Sequence, residues 1–545
     1  MNPMITADRG LSLTLDTDAH PGSPVCLAVS RLGSVRAASG TFTLWVQLRG
    51  RSWIESKEGK FRLRAGDWIA FDRDSRPTVQ ADRNGLCIGV GLDGPSLQAL
   101  AELTDSVLYP GRSQLGRSDL LTALRLWRSA ARTGDAAGAC EPSEGDVTLT
   151  FTSWIPGIED AVAIWNEANP DIQVEVQTGP SGNAGTYQNF FNQLEAGNAP
   201  DLGQIEYDAL PNFRVQDGLE DLGACADVVA AKDQFVDWTW GQVTLGTEDE
   251  VYGIPQDSGP MALFYRSDLF EENEIPVPTT WEEYKAAAEK IRELGGYITN
   301  FSQTDINQFA GFVWQAGGQW FANDGDAWTV ELAGAESTTV ADYWQDLIEN
   351  DLVSTYPAWT DEWNNAYNSG EVWTWNSAVW GANSIASGAP DTAGSWSVAQ
   401  APQWTAGESA AGNWGGSSIA VFSGTDHLYE AAKFALWLNT SEEALTSLNT
   451  TAAIYPATTA GLELPALQEG VEFYGGQKIY EVFAEAAGQV SPDFVWGPTM
   501  TQTYADVSDG FKNAVSGSGT LAEALAAGQT STIAALKAQS IPVAE

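Results

Sequence analysis

The sequence predicts an α/β protein built on a largely parallel sheet and preceded by a small all-β segment. Three observations carry that prediction. From Val147 onward, short apolar runs alternate with amphipathic stretches in a βαβα order, which implies parallel strands with helices on both faces. From about residue 41 to residue 91 the pattern is short strands alone, separated by turns rich in Gly, Asp and Arg. The charge changes along with the pattern. Residues 1–139 hold 17 basic and 14 acidic side chains, whereas residues 140–545 hold 10 and 58.

The charge also excludes functions. A net charge of −45 over 545 residues repels nucleic acid and anionic membrane surfaces, because binding phosphate needs Lys and Arg. The two histidines, His20 and His427, are too few for a multi-His metal site, and a His-based triad is not expected. Cys26, Cys87, Cys140 and Cys225 show no CxxC spacing, so a zinc site or redox dithiol is not expected, and no cofactor is implied. No apolar run is long enough to span a bilayer. Of the 23 Trp residues, 19 lie after residue 140, which points toward recognition of flat, partly apolar faces.

Taken in order, TFTLWVQL, SWIE, FRL, DWIAF and LCIGVGL read as strands of a small antiparallel barrel or sandwich. Gly66-Asp67-Trp68 resembles the "GD" turn of cupin barrels. The arrangement over roughly residues 25–130 is similar to the sensing half of AraC-type regulators. The His ligands of metal-binding cupins are missing. Leu120 to Ala131 reads as an Arg-rich helix with no helix-turn-helix pair after it, so the DNA-reading half of such a regulator is absent. Ala136-Ala137-Gly138-Ala139-Cys140 then resembles the lipobox of bacterial lipoproteins, which implies lipidation of Cys140 and a membrane anchor if the chain is processed. The apolar stretch that should precede it is replaced by the cupin-like segment. Residues 1 to about 138 therefore read as a foreign piece, by fusion, construction or misassembly, and nothing in the chain as written directs export.

Strand VTLTFTSW leads to helix IEDAVAIWNEANP, then strand IQVEVQTG, helix YQNFFNQLEAG and the run DLGQIEY. In a parallel sheet the ligand edge lies at the carboxyl ends of strands, which singles out Trp154, Glu206, Tyr207 and Asp208. Next comes Tyr252–Leu294. It holds the turn Tyr252-Gly253-Ile254-Pro255, the polar pair Gln256 and Asp257, and a buried strand over Met261–Tyr265. A helix follows, opened by Thr280 and Glu283 at capping-box spacing, with Trp281, Tyr284, Ala288 and Ile291 on one face.

This stretch resembles the segment that crosses from the first lobe to the second in solute-binding proteins of ABC importers, in the sugar-binding group that includes the maltose-binding proteins. AYNSGEVWTWNSAVWGANSI, with Trp373, Trp375 and Trp380, is similar to that group's Trp-bearing loop. SVAQAPQW, GNWGGSSIAVFSGTD and AAIYPATTAG resemble its later crossings. The resemblance covers about residues 147–540. It implies a two-lobed periplasmic-binding-protein fold of type II character with three lobe crossings. The domains expected are 1–135 (cupin-like), 136–146 (linker), 147–257 with 402–450 (first lobe) and 258–401 with 451–545 (second lobe).

The function implied is high-affinity binding of a mono- or oligosaccharide and its delivery to ABC permease subunits by lobe closure, without catalysis and outside the cytoplasm. Aromatic plates suit the C–H faces of a sugar ring, and amides and carboxylates suit its hydroxyls. Ligand contacts are therefore expected from Trp154, Glu206, Asp208, Gln256 and Asp257. They are also expected from Trp314, Trp320, Trp375, Trp380, Trp414, Gly415 and Trp496, while Trp165, Trp281, Trp344 and Trp437 sit on helical stripes and belong to packing. Two alternatives share some of these features: a glycosidase, which also combines carboxylates with sugar-stacking Trp, and a truncated cytoplasmic ligand-sensing regulator built on residues 1–139.

Overall fold

The computed structural model describes residues 140–247, 250–323, 327–539 and 541–544, together with the backbone of strands between residues 26 and 114. The chain divides into two compact units, Met1–Asp135 and Ala136–Glu545. In the first unit the strands pair antiparallel in one five-stranded and one four-stranded sheet. The Arg-rich helix expected over Leu120–Ala131 and the small residues before Cys140 lie outside the described residues.

The second unit holds two principal sheets. In the first, the order is Ile172–Thr178, Val147–Ser153, Leu202–Glu206, Ser417–Val421, Ile254–Pro255. Its first three strands are parallel, and Leu149 and Phe151 are fully buried beneath the helices that connect them. Ser417–Val421 comes from far along the chain and pairs antiparallel with both of its neighbours. The second sheet, Thr374–Ala378, Met261–Arg266, Trp396–Gln400, is antiparallel throughout. The largely parallel expectation thus holds only where single helices alternate with strands. Long connections carry no such constraint on strand direction.

The helix Trp281–Glu293 shows how sequence sets one element. Thr280 Oγ1 accepts from the Glu283 N–H at 3.2 Å, the first half of a capping box. Its second half moves back one residue, since the Glu283 carboxylate accepts from Thr279 N (2.8 Å) and Thr279 Oγ1 (2.7 Å). Trp281, Tyr284, Ala288 and Ile291 are buried, and Trp281 meets Phe312, Tyr343, Trp344 and Trp404 edge-on or tilted. Trp165 and Trp344 are likewise buried in packing, and Trp437 is half-buried against Trp165 and Phe434.

Cys140 is bonded to Cys225, with Cα atoms 5.2 Å apart. This corrects the expectation of a lipid on Cys140, because a thioether needs the same sulfur. Nearby, Ser143 donates its N–H and Oγ–H to the two Glu430 oxygens at 2.7 and 3.0 Å, so the start of this unit is pinned to the helix Leu428–Thr440. No helix among the described residues is long and apolar enough to cross a membrane.

Candidate functional site

Three segments pass side by side between the two sheets. Between Pro255 and Met261 the chain leaves the first sheet and enters the second. Between Gln400 and Ser417 it returns, with Trp414 N donating to Gly259 O (2.8 Å) and Met261 N to Gly412 O (2.9 Å). The third segment lies along the first, where Ser258 N donates to Tyr455 O (3.0 Å) and Ala457 N to Gln256 O (3.2 Å). Two glycines permit close approach, one between crossing segments and one between a crossing segment and the helix Ile306–Gln315. A Cβ on Gly259 would sit 2.0 Å from Trp414 O, and one on Gly412 would sit 2.0 Å from Gly311 O.

Asp257 and Gln256 belong to this crossing. Asp257 Oδ1 accepts from Ser417 Oγ (2.6 Å) and Ser417 N (2.7 Å). Ser417 Oγ accepts from Gln204 Nε2, and Gln204 Oε1 accepts from Ser153 Oγ and Trp154 N. One polar chain therefore runs from Asp257 across three strands to Trp154. Gln256 is buried, and its Nε2 has no partner. Gly415 holds a left-handed turn (φ 85°), and its carbonyl accepts from Asn413 Nδ2.

Beside the crossing lies a pocket lined by Asn300, Ser302, Asp305, Gln308, Ala358, Trp359, Trp363, Trp375 and Trp414. The Trp rings form a connected wall. Trp363 lies 5.1 Å from Trp375, Trp375 lies 5.9 Å from Trp414, and Trp380 lies 4.5 Å from Trp414. Trp380 Nε1 also donates to Trp414 O (3.0 Å). Trp359 is 52% exposed at φ 66°, a left-handed backbone conformation that bulky residues rarely adopt.

Polar residues complete the pocket. Asp305 caps the helix Ile306–Gln315, and burial pushes its carboxyl up to about 6. Asn300 accepts from Ser354 Oγ and Tyr356 N and donates to Tyr356 O, so it holds the loop that leads to Trp359. Gln308 Nε2 donates to Asn376 O. Among the described residues the pocket lining has one carboxylate and no Lys or Arg.

More acids gather at the end of Leu202–Glu206. Tyr187 OH donates to Glu206 Oε2 (3.0 Å), and burial, aided by the Asp208 charge, pushes Glu206 up to about 8. Asp208 is buried and raised by that burial, against the pull of hydrogen bonds from Tyr504 and Asn307. Burial also raises Asp257, opposed by Ser417. Trp154 meets Tyr187 edge-on at 5.8 Å.

Of the expected contacts, Trp375 and Trp414 line the pocket and Trp380 backs it. Trp314, Trp320 and Trp496 do not; they are packing residues. Trp314 lies inside the helix Ile306–Gln315, stacked on Phe494 at 4.5 Å with its Nε1 donating to Ser491 O. Trp320 is fully buried and donates to Ser337 Oγ, and Trp496 is buried 4.8 Å from Phe494. Gly317 and Gly318 beside Trp314 and Trp320 shape a turn rather than a cleft, so small neighbours misled. Trp359, Trp363 and Asp305 were not anticipated. A usable signal exists in Trp359-Thr360-Asp361-Glu362-Trp363, where Thr360 caps a helix and leaves a Trp on either side of its first turn.

A model of the bacterial extracellular solute-binding protein family matches residues 145–445. The lactose-binding protein of Rhizobium radiobacter is 27% identical over 383 residues, covering 66% of this chain and 87% of that protein. The arabinooligosaccharide-binding protein of Bacillus subtilis is 21% identical over 393 residues, 69% of this chain and 88% of that protein. Among solved structures, the galacto-N-biose-/lacto-N-biose I-binding protein of the ABC transporter from Bifidobacterium longum, in complex with lacto-N-biose, superposes with a TM-score of 0.66 at 28% identity. The match covers 74% of this chain and 100% of that one. The ABC transporter associated binding protein of B. animalis subsp. lactis Bl-04, in complex with beta-1,6-galactobiose, gives 0.62 at 28% identity over 73% and 99% of the two chains.

Proposed function

The chain belongs to the family of bacterial extracellular solute-binding proteins, and from that premise we propose that it binds a carbohydrate and delivers it to an ABC-type importer by lobe closure, without catalysis. The observation that carries this reading is the Trp-walled pocket beside three crossing segments, with Asp305, Asn300 and Gln308 among its rings. Trp faces suit the C–H patches of a sugar, and the polar side chains suit its hydroxyls. The ligand is a neutral saccharide, because a lining with a carboxylate and no cation repels uronates and phosphosugars. Lacto-N-biose and beta-1,6-galactobiose, bound by the two 28%-identical neighbours, are the first probes.

Ligand contacts are assigned to Trp359, Trp363, Trp375, Trp414 and Asp305, with Trp380, Gly415 and Gln256 supporting them from the crossing. Trp154, Glu206 and Asp257 are assigned to ligand contact from the first lobe, and Asp208 Oδ1, buried without a partner, is assigned as acceptor of a ligand hydroxyl. The partners are the transmembrane permease subunits, and the site of action is extracytoplasmic, as family membership supports. The lobes are residues 147–257 with 402–450, and 258–401 with 451–545. Residues 1–135 form a separate cupin-like module of a different origin, supported by their antiparallel strands and the step in charge. Titration calorimetry with the two probes tests the reading; heat of binding with intact sugar recovered afterwards is the expected result.

A further inference from the structure

Asp208 sits where the first sheet ends, yet both hydrogen bonds of its Oδ2 come from the other side of the cleft. Asn307 Nδ2 donates to it at 3.0 Å and Tyr504 OH at 2.9 Å. Asn307 lies in the first turn of Ile306–Gln315, and Tyr504 lies in the helix Met500–Val515, which packs on that helix. The same turn carries Asp305 and Gln308 into the Trp pocket. At the same edge Thr501 Oγ1 donates to Asn183 Oδ1 of the first lobe at 3.4 Å, which brings the helix Met500–Val515 to the first lobe at a second point.

We propose that Asp208 is an interlobe latch: by accepting from Asn307 and Tyr504 together, it holds the two lobes closed over the Trp pocket. The proposal rests on the two-lobed closing mechanism above and goes beyond it, since it assigns part of the closing free energy to the protein itself rather than to the ligand. Hydrogen bonds to a carboxylate are roughly twice as strong as neutral ones, and two donors on one oxygen fix an angle as well as a distance. Burial disfavours the charged carboxyl, while the two donors from the second lobe favour it, so the latch and the ionised state support each other. Opening the lobes takes both donors away at once. A ligand that closes the cleft then need supply only the remaining differential affinity. Through Oδ2 Asp208 acts as a positioning residue, its effect reaching the pocket through the first turn of one helix, while Oδ1 stays available to the ligand.

The test uses the full chain with no saccharide added. Donor and acceptor dyes are placed through keto amino acids at Gln188 and Lys290, both exposed and on opposite lobes, so that the cysteines stay native. Single-molecule energy transfer then reads the open-to-closed ratio. Asp208→Asn and Tyr504→Phe should each raise that ratio roughly tenfold, the scale of one hydrogen bond to a charged group. In the Asp208→Asn background Tyr504→Phe should have a smaller effect than in the parent, because the amide oxygen that remains is a weaker acceptor than the carboxylate. Near-UV circular dichroism checks folding, and Asn307→Leu provides a third variant of similar volume. Ratios equal to the parent's, or a Tyr504→Phe effect undiminished in the Asp208→Asn background, would overturn the latch while leaving lobe closure standing. A single unchanging distance in the parent and in all three variants would overturn both.

Discussion

In the proposed saccharide site, Trp359 is the most exposed ring. It is the one Trp among the described residues that is both large and exposed, and its ring stands 5.2 Å from Trp363 and 5.9 Å from Trp375 and Trp380. Trp359→Ala should therefore weaken saccharide affinity about tenfold or more with little change in melting temperature, read by calorimetry and a thermal melt. Trp375→Ala should weaken binding and also destabilise, because Trp375 is buried among Trp363, Tyr367 and Trp414. Glu206 makes a prediction about pH. Its folded-state carboxyl, at about 8, lies above the ordinary value of 4.5, so its contribution to stability is fully present below pH 4.5 and is lost as pH rises through 8. Glu206→Gln should narrow the gap between melting temperatures at pH 5 and pH 9 by about 2 °C or more. At this scale the sequence was only partly legible. Trp375 is marked by its place in the Trp-bearing segment and Trp414 by its small polar neighbours. Asp305 is one acid among 58, and only its capping geometry and burial distinguish it.

The elements were more legible than their caps. The face of Trp281–Glu293 follows from 3.6-residue spacing, and its burial matches that spacing. The reciprocal capping box forms instead at Thr520 and Glu523, where Glu523 Oε2 accepts from Thr520 N at 3.0 Å. At Thr280 the neighbouring Thr279 offers two donors to the same carboxylate and draws it away. Trp281→Ala should cost about 3–5 kcal/mol, measured by denaturant unfolding, since five aromatic neighbours would face the cavity. The crossing segments make a sharper case. Gly259→Ala should destabilise by about 1–3 kcal/mol, because its Cβ would meet the Trp414 carbonyl, a backbone atom that cannot rotate away. Sequence alone did not mark Gly259, because nothing local says which backbone will lie against it.

For the whole molecule, alternation and charge located the α/β unit, and strand direction in the second sheet escaped because it depends on connections of more than a hundred residues. The Cys140–Cys225 bond spans 85 residues and lay equally beyond local pattern. Peptide mapping without reductant should recover Cys140 joined to Cys225, and a diacylglyceryl group on Cys140 would contradict the structure. The cross-link ties the start of the unit to Cys225, so reduction should lower its melting temperature without abolishing binding, the pocket being built from other segments. The central claim is that this cleft closes on a neutral saccharide and performs no chemistry on it. Titration calorimetry with lacto-N-biose, beta-1,6-galactobiose and a wider panel of neutral and acidic sugars, followed by chromatography of the recovered ligand, tests it most directly. The account predicts micromolar or tighter binding of at least one neutral sugar, returned intact, with acidic sugars silent. Absence of heat across the neutral panel, or appearance of cleaved products, would contradict it.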